Sequence, residues 1–170
     1  MGSLRRFTPA FLGLCVCVLC AGAISTNAAQ TKGTWLREQI AGYQKLTWHW
    51  QHVMGVAVTP STANRASVHA LLRWRRLAKA ARVRAQHPPH RAALLCIHHY
   101  EGSWTDTGAP FWGGLQMNYG FQATYGAWLL RHKGTADHWT PLEQIWTAEK
   151  AVMSRGFWPW PNTGRMCGVL

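Results

Sequence analysis

CIHHYEGSWTDTGAPFWGGLQM, residues 96–117, sets one acid, Glu101, among aromatics and glycines in a chain of 170 residues with only six acids in all. The others are Glu38, Asp106, Asp137, Glu143 and Glu149. Residues 91–100, RAALLCIHHY, form an apolar run that predicts a buried helix, and Gly102 is a residue that commonly ends one. Glu101 is therefore expected at a helix end facing a glycine-rich turn. Flanked by Tyr100 and Trp104, its carboxyl would lose hydration, which raises a carboxyl pKa and suits a general acid. The chemistry this points to is glycosidic bond cleavage.

A second carboxylate for that chemistry is scarce. Two-carboxylate glycosidases place their acids about 5 Å apart for retention and farther apart for inversion. Asp106, followed by Thr107-Gly108, reads as a turn former, and Glu149 as a helix residue engaged in an ion pair or core hydrogen bond. A single-acid mechanism fits this shortage. The paired glycines of Gly113-Gly114-Leu115-Gln116 are expected to let backbone approach a ligand, with Gln116 offering donor and acceptor to sugar groups.

The order Cys96, Glu101-Gly-x-Trp104, Thr107-Gly108, Phe111-Trp112, Gly113-Gly-Leu-Gln116, Gln144-x-x-x-Ala-Glu-Lys150 and Trp158-Pro-Trp-Pro161 resembles the transglycosylase-like domain of the resuscitation-promoting factors. Those are secreted peptidoglycan-cleaving proteins of high-GC Gram-positive bacteria with a reduced lysozyme fold. The resemblance spans about residues 91–170. It implies that Glu101 is the catalytic acid and that Trp104, Thr107, Trp112 and Gln116 line the substrate groove; Tyr119, read from the sequence itself, is expected to close it. The resemblance also implies cleavage of the glycan strand, either by lytic transglycosylation, in which the muramic acid's own 6-hydroxyl attacks and no external water is consumed, or by muramidase hydrolysis. The loop between Trp104 and Gly113 is one residue shorter than in that family, which loosens the carry-over of Thr107.

Arg5 and Arg6, the apolar residues 11–24 and the small residues 25–29 read as an export signal, expected to occupy residues 1–28. Three of the five cysteines, Cys15, Cys17 and Cys20, fall in it. None sits in a lipoprotein-type site. Cys96 and Cys167 remain, and in an exported chain they either bridge the tail to the Glu101 helix or stay as two thiols. The resemblance implies the bridge, although the family's cysteine directly precedes the glutamate and Cys96 stands farther back.

Lys and Arg number 18 against the six acids, a net charge of +12. The expected partners are the peptidoglycan substrate and anionic wall polymers or lipid headgroups. Nucleic acid would suit the charge, but export argues against it. A secreted, wall-associated monomer is expected. The densest histidine groupings, His49-x-x-His52 and His98-His99, lack the spacing of a metal motif, so no metal and no cofactor are expected.

Residues 29–90 are expected to form a basic helical extension. Apolar residues spaced by three and four predict a helix over 33–54, a loop over 56–63 and a basic helix over 64–86, with Arg73, Arg75, Arg76, Lys79, Arg82 and Arg84 charged. His87-Pro88-Pro89-His90 breaks it and opens the lysozyme-like domain, residues 91–170. There a hairpin or lip is expected over 111–117 and helices over 119–131 and 141–155. The tail over 157–162 is too rich in proline for a helix, with Trp158 and Trp160 in the core. The fold class is mainly α, α+β through the small β lip. The rival to an enzyme is a non-catalytic basic module that grips glycan without cutting it.

Overall fold

The computed structural model describes the backbone of residues 19–61 and 66–170, with side chains from residue 31 onward. Among these residues are seven α-helices and one two-stranded sheet, so the fold is mainly α with a small β element. Residues 1–18, which carry most of the expected export signal, lie outside the described residues, as do 62–65. No helix among the described residues is long and apolar enough to cross a membrane.

The helix expected over 33–54 is the later part of α1 (Leu19–Met54), which runs without a break through the expected mature start near Ala29. The chain then reverses and retraces α1. Gln51 exchanges hydrogen bonds with Thr59, its Nε2 donating to Oγ1 at 2.8 Å and its Oε1 accepting from the backbone N–H at 3.0 Å. The Trp48 indole donates to the Thr59 carbonyl, and Gln44 reaches back to Ser61. After this return the next helix, α2 (Val68–Ala85), runs alongside α1 in the same direction. Trp74 meets Trp48 edge to face at 5.8 Å, and Ala85 joins Val53 and Met54 in the core. The helix starts at Val68 and not at the expected Asn64. Ser67 is extended, with φ −140°, and its hydroxyl caps the first turn through the Ala70 N–H.

The Pro88-Pro89 break leads into α3 (Arg91–Glu101), whose Leu94 and Ile97 are fully buried. They share one core with Val53, Met54, Ala85, Leu115, Met117, Leu129, Ile145, Trp146 and Trp160, so packing draws on both sides of residue 91. The Trp146 indole donates to the Ala85 carbonyl at 2.7 Å. The expected lip is an antiparallel pair, β1 (Phe111–Trp112) and β2 (Met117–Asn118), with Phe111 opposite Asn118 and Trp112 opposite Met117.

Two expected elements differ. The helix expected over 119–131 is two, α4 (Tyr119–Tyr125) and α5 (Ala127–Lys133), broken at Gly126. The indole of buried Trp139 occupies the space a side chain there would need, 2.8 Å from its Cζ3, so only glycine fits at the break. The tail does contain a helix, α7 (Pro161–Met166): Pro161 stands in its first turn, where the missing N–H costs no hydrogen bond. Trp160 is buried and donates to the Leu115 carbonyl at 2.8 Å, as a core residue should. Trp158, expected beside it, is 67% exposed.

The remaining long helix, α6 (Pro141–Arg155), has the expected bounds and is capped by a reciprocal pair, Thr140 with Glu143. Glu149 on it is fully buried and accepts from the His90 N–H at 3.2 Å, with His90 Nδ1 at 2.6 Å, the core role expected of it. Glu143 is equally buried. Lys133 donates to both its oxygens, at 2.7 and 2.8 Å, and His49 Nε2 on α1 lies 3.0 Å away. Burial alone would push this carboxyl up. The hydrogen bonds from His49, Lys133 and the Thr140 backbone, with the Lys133 charge, outweigh it and hold the pKa at about 2, against an ordinary 4.5.

A depressed folded-state pKa gives stability that is complete above the ordinary value and lost as pH falls toward the folded one. Glu143 should thus contribute up to roughly 3 kcal/mol at neutral pH, all of it lost between about pH 4.5 and pH 2. Thermal melts across that range should show a steep loss of stability in the parent that is largely absent in Glu143→Gln.

Candidate functional site

The last turn of α3 ends where Gly102, at φ +146°, leaves helical backbone while its N–H still bonds the His98 carbonyl at 3.3 Å. This puts Glu101 at the helix end, partly buried, as the sequence predicts. Thr163, a buried residue of α7, donates its hydroxyl to Glu101 Oε1 at 2.7 Å. Thr163 thus fixes one carboxylate oxygen, and among the described residues none hydrogen-bonds Oε2. Helix α7 is tied to α3 by a disulfide between Cys96 and Cys167, with Cα atoms 5.9 Å apart. Of the two states open to those cysteines, the bridge is the one formed.

Against the same helix end lie Asp106 and Gln116. Gln116 Nε2 donates to Asp106 Oδ2 at 2.7 Å and to the Gly113 carbonyl at 3.2 Å. Both side chains crowd Gly102: a Cβ there would sit 3.3 Å from Gln116 Nε2 and 3.4 Å from Asp106 Oδ2. Asp106 is a turn former as expected, its Oδ1 accepting from the Gly108 N–H at 3.1 Å, but its other oxygen orients Gln116. Gln116 holds a left-handed backbone, φ +47°, rare for a side-chain-bearing residue. That conformation aims it into the turn between the strands. Beyond it a cleft of about 80 Å³ is lined by Phe111, Gln116, Asn118, Arg155, Pro159 and Trp160.

The other expected groove residues are dispersed. Thr107 is exposed on the loop after Asp106, and Tyr119 is 60% exposed at the start of α4. Trp112 is half-buried against the core. Trp104 stacks on His98 at 3.7 Å and lines a different hollow of about 300 Å³, with Arg91, Leu95, Leu142 and Ile145.

Gly113 and Gly114 are buried, which corrects their expected role as an open approach for ligand. Gln144, fully buried on α6, fills the space beside Gly113 and accepts from the Gly114 N–H at 2.9 Å; the Gly114 carbonyl bonds His98 Nδ1 at 3.0 Å. The Gln144 amide also donates to the carbonyls of Trp104, Ala136 and Trp139, locking the loop behind the lip to α6. The glycines are there for this close internal packing.

Thr163, which holds Glu101, and Phe111 and Arg155, which line the cleft, were not among the expected site residues. A Cys96–Cys167 pairing was the one available signal, since it brings residues 161–167 beside residues 96–101. Arg155 lies over the Phe121 and Tyr125 rings at 5.8 and 5.6 Å, one cation at the cleft. His52 stacks on Trp128 at 5.0 Å, and its pKa is lowered by burial first and then by the charges of His132, His49 and Arg131. No group of three or more His, Cys, Asp or Glu side chains among the described residues could hold a metal ion. Comparison of the chain with protein-family models, with curated proteins and with solved structures finds no match.

Proposed function

We propose that the chain is a secreted enzyme that cleaves the glycan strands of peptidoglycan at the β-1,4 bond between N-acetylmuramic acid and N-acetylglucosamine, with Glu101 as its single catalytic acid. The carrying observation is that Asp106 and Gln116 close on Gly102, the residue after Glu101, while one oxygen of Glu101 is held by Thr163. The reading also rests on the resemblance to the resuscitation-promoting factors, and with it on a reduced lysozyme-like fold. Export is supported by the Cys96–Cys167 bridge, since disulfides persist outside the reducing cytosol.

In this reading Oε2 of Glu101 carries the proton and gives it to the glycosidic oxygen as the bond to the muramic C1 breaks. The muramic 6-hydroxyl attacks C1 and returns its proton to Glu101, so the enzyme is regenerated and the product is an anhydro sugar. Gln116, steadied by Asp106, offers amide hydrogen bonds to an acetamide or hydroxyl of the substrate. In this reading the exposed ring of Phe111, at the cleft beside Gln116, covers a sugar face. The catalytic chain works without a metal or cofactor and as a monomer.

Purified insoluble cell walls mixed with the protein should lose turbidity, and mass spectrometry of the released fragments should find anhydro-muramic ends. Reducing ends would instead mean that water, not the 6-hydroxyl, attacks. Protein that pellets with walls but releases nothing is a binding module, and the enzyme reading then fails.

A further inference from the structure

We propose that the outward face of α2 docks the protein onto an anionic lipid bilayer. The face opposite is fully used: Trp74, Ala78, Ala81 and Ala85 are buried, the alanines letting α2 lie close on α1 and the core. The outward residues Val68, Leu72, Arg75, Arg76, Lys79 and Val83 fall within about a third of the helix circumference at 3.6 residues per turn. All six are exposed, and the three aliphatic ones unusually so, Val68 at 54%, Leu72 at 48% and Val83 at 47%. A hollow of about 480 Å³ on this face is lined by His69, Leu72, Arg75, Arg76 and Lys79.

The cations alone would suit any polyanion, because the sequence has no acid between Glu38 and Glu101 to neutralise them. The aliphatic residues discriminate. A hydrophilic wall polymer offers nothing to bury Val68, Leu72 and Val83 against. A bilayer surface offers both parts, phosphates for the guanidinium and ammonium groups and an acyl boundary a few ångströms below for the aliphatic side chains. Arg75, Arg76 and Lys79 lie between Leu72 and Val83 along the axis, so their stems can reach up to phosphates while the aliphatic groups on either side enter the surface. Exposed Arg82 and Arg84 extend the positive field toward the end of the helix. Glu101 and the cleft beyond Gln116 belong to elements other than α2.

The test is co-sedimentation of the full chain with vesicles at low ionic strength. Vesicles of phosphatidylcholine with phosphatidylglycerol should bind it at least tenfold more tightly than phosphatidylcholine alone. Val68→Gln, Leu72→Gln and Val83→Gln together, exposed replacements by a good helix former, should weaken binding to the anionic vesicles about tenfold and leave binding to soluble polyglutamate within twofold of the parent. Reversing Arg75, Arg76 and Lys79 to Glu should weaken both. The proposal is overturned if the Gln variant binds anionic vesicles as the parent does, which would assign the attraction to charge alone or to residues 1–28. It is equally overturned if the parent ignores vesicles while sedimenting with isolated walls. Cleavage does not enter the measurement, so this test and that of Glu101 fail separately.

Discussion

Glu101→Gln is expected to lower wall cleavage by about a hundredfold to ten-thousandfold, the range that a positioned general acid contributes. The amide keeps the shape of the carboxyl, and its carbonyl oxygen can still accept from Thr163, now 2.7 Å from Oε1. Folding and glycan binding should therefore survive while the transferable proton is gone. The comparison that gives this result its meaning is Asp106→Asn. Its Oδ1 still accepts from the Gly108 N–H, and the loss falls on the bond to Gln116, so about a tenfold drop is expected, the worth of one hydrogen bond. Rates measured on the same wall preparation decide the matter. Two equally dead variants would mean a two-carboxylate enzyme, and a Glu101→Gln protein with a tenth of the parent rate would remove the acid from Glu101.

Removing the Cys96–Cys167 bridge by a double Cys→Ser replacement should cost about 4 kcal/mol in the chain-entropy estimate, because the cross-link closes a loop with a sequence separation of 71. Urea unfolding of the parent and the variant measures it, and a difference under about 1 kcal/mol would show that the unfolded chain is constrained by other means. Activity should fall as well, and for a separate reason. The bridge holds α7 on α3, and α7 carries the Thr163 hydroxyl that fixes Glu101. If activity on walls survives unchanged in conditions where the variant is fully folded, Thr163 does not need the tether.

What was legible in the sequence followed local chemistry. The helix Arg91–Glu101 and the helix Pro141–Arg155 have the bounds expected from Gly102, from the Pro88-Pro89 break and from Pro141 at a first turn. The small lip and the core role of Glu149 were legible too, and so was Asp106 as a turn former. Illegible features were those decided by distant partners. At the break between α4 and α5 only glycine fits, because Trp139 from a later turn fills the space beside Gly126. Gly113 and Gly114 look like an opening for ligand, yet Gln144 and His98 close on them. Trp158 and Trp160 stand two residues apart in the same kind of sequence, and only the tertiary path buries one and exposes the other. Glu143 gave no local sign of its partners, since His49 comes from the first helix and Lys133 from the fifth. Periodicity reports which face of an element is apolar, not which element will meet it.

The shared core has a consequence for transplantation. Val53, Met54 and Ala85 pack with Ile97 and Ile145, and the Ala85 carbonyl is the acceptor for the buried Trp146 indole. A fragment cut at residue 91 would keep Glu101, the lip and the bridge but would bare the aliphatic surface that those three residues cover. It would also strand an indole N–H without its acceptor and leave Glu143 one neighbour short. The composition changes at the Pro88-Pro89 break, while core packing runs across it. Grafting the Glu101 region into another chain therefore requires the α1–α2 pair to travel with it as part of the same graft.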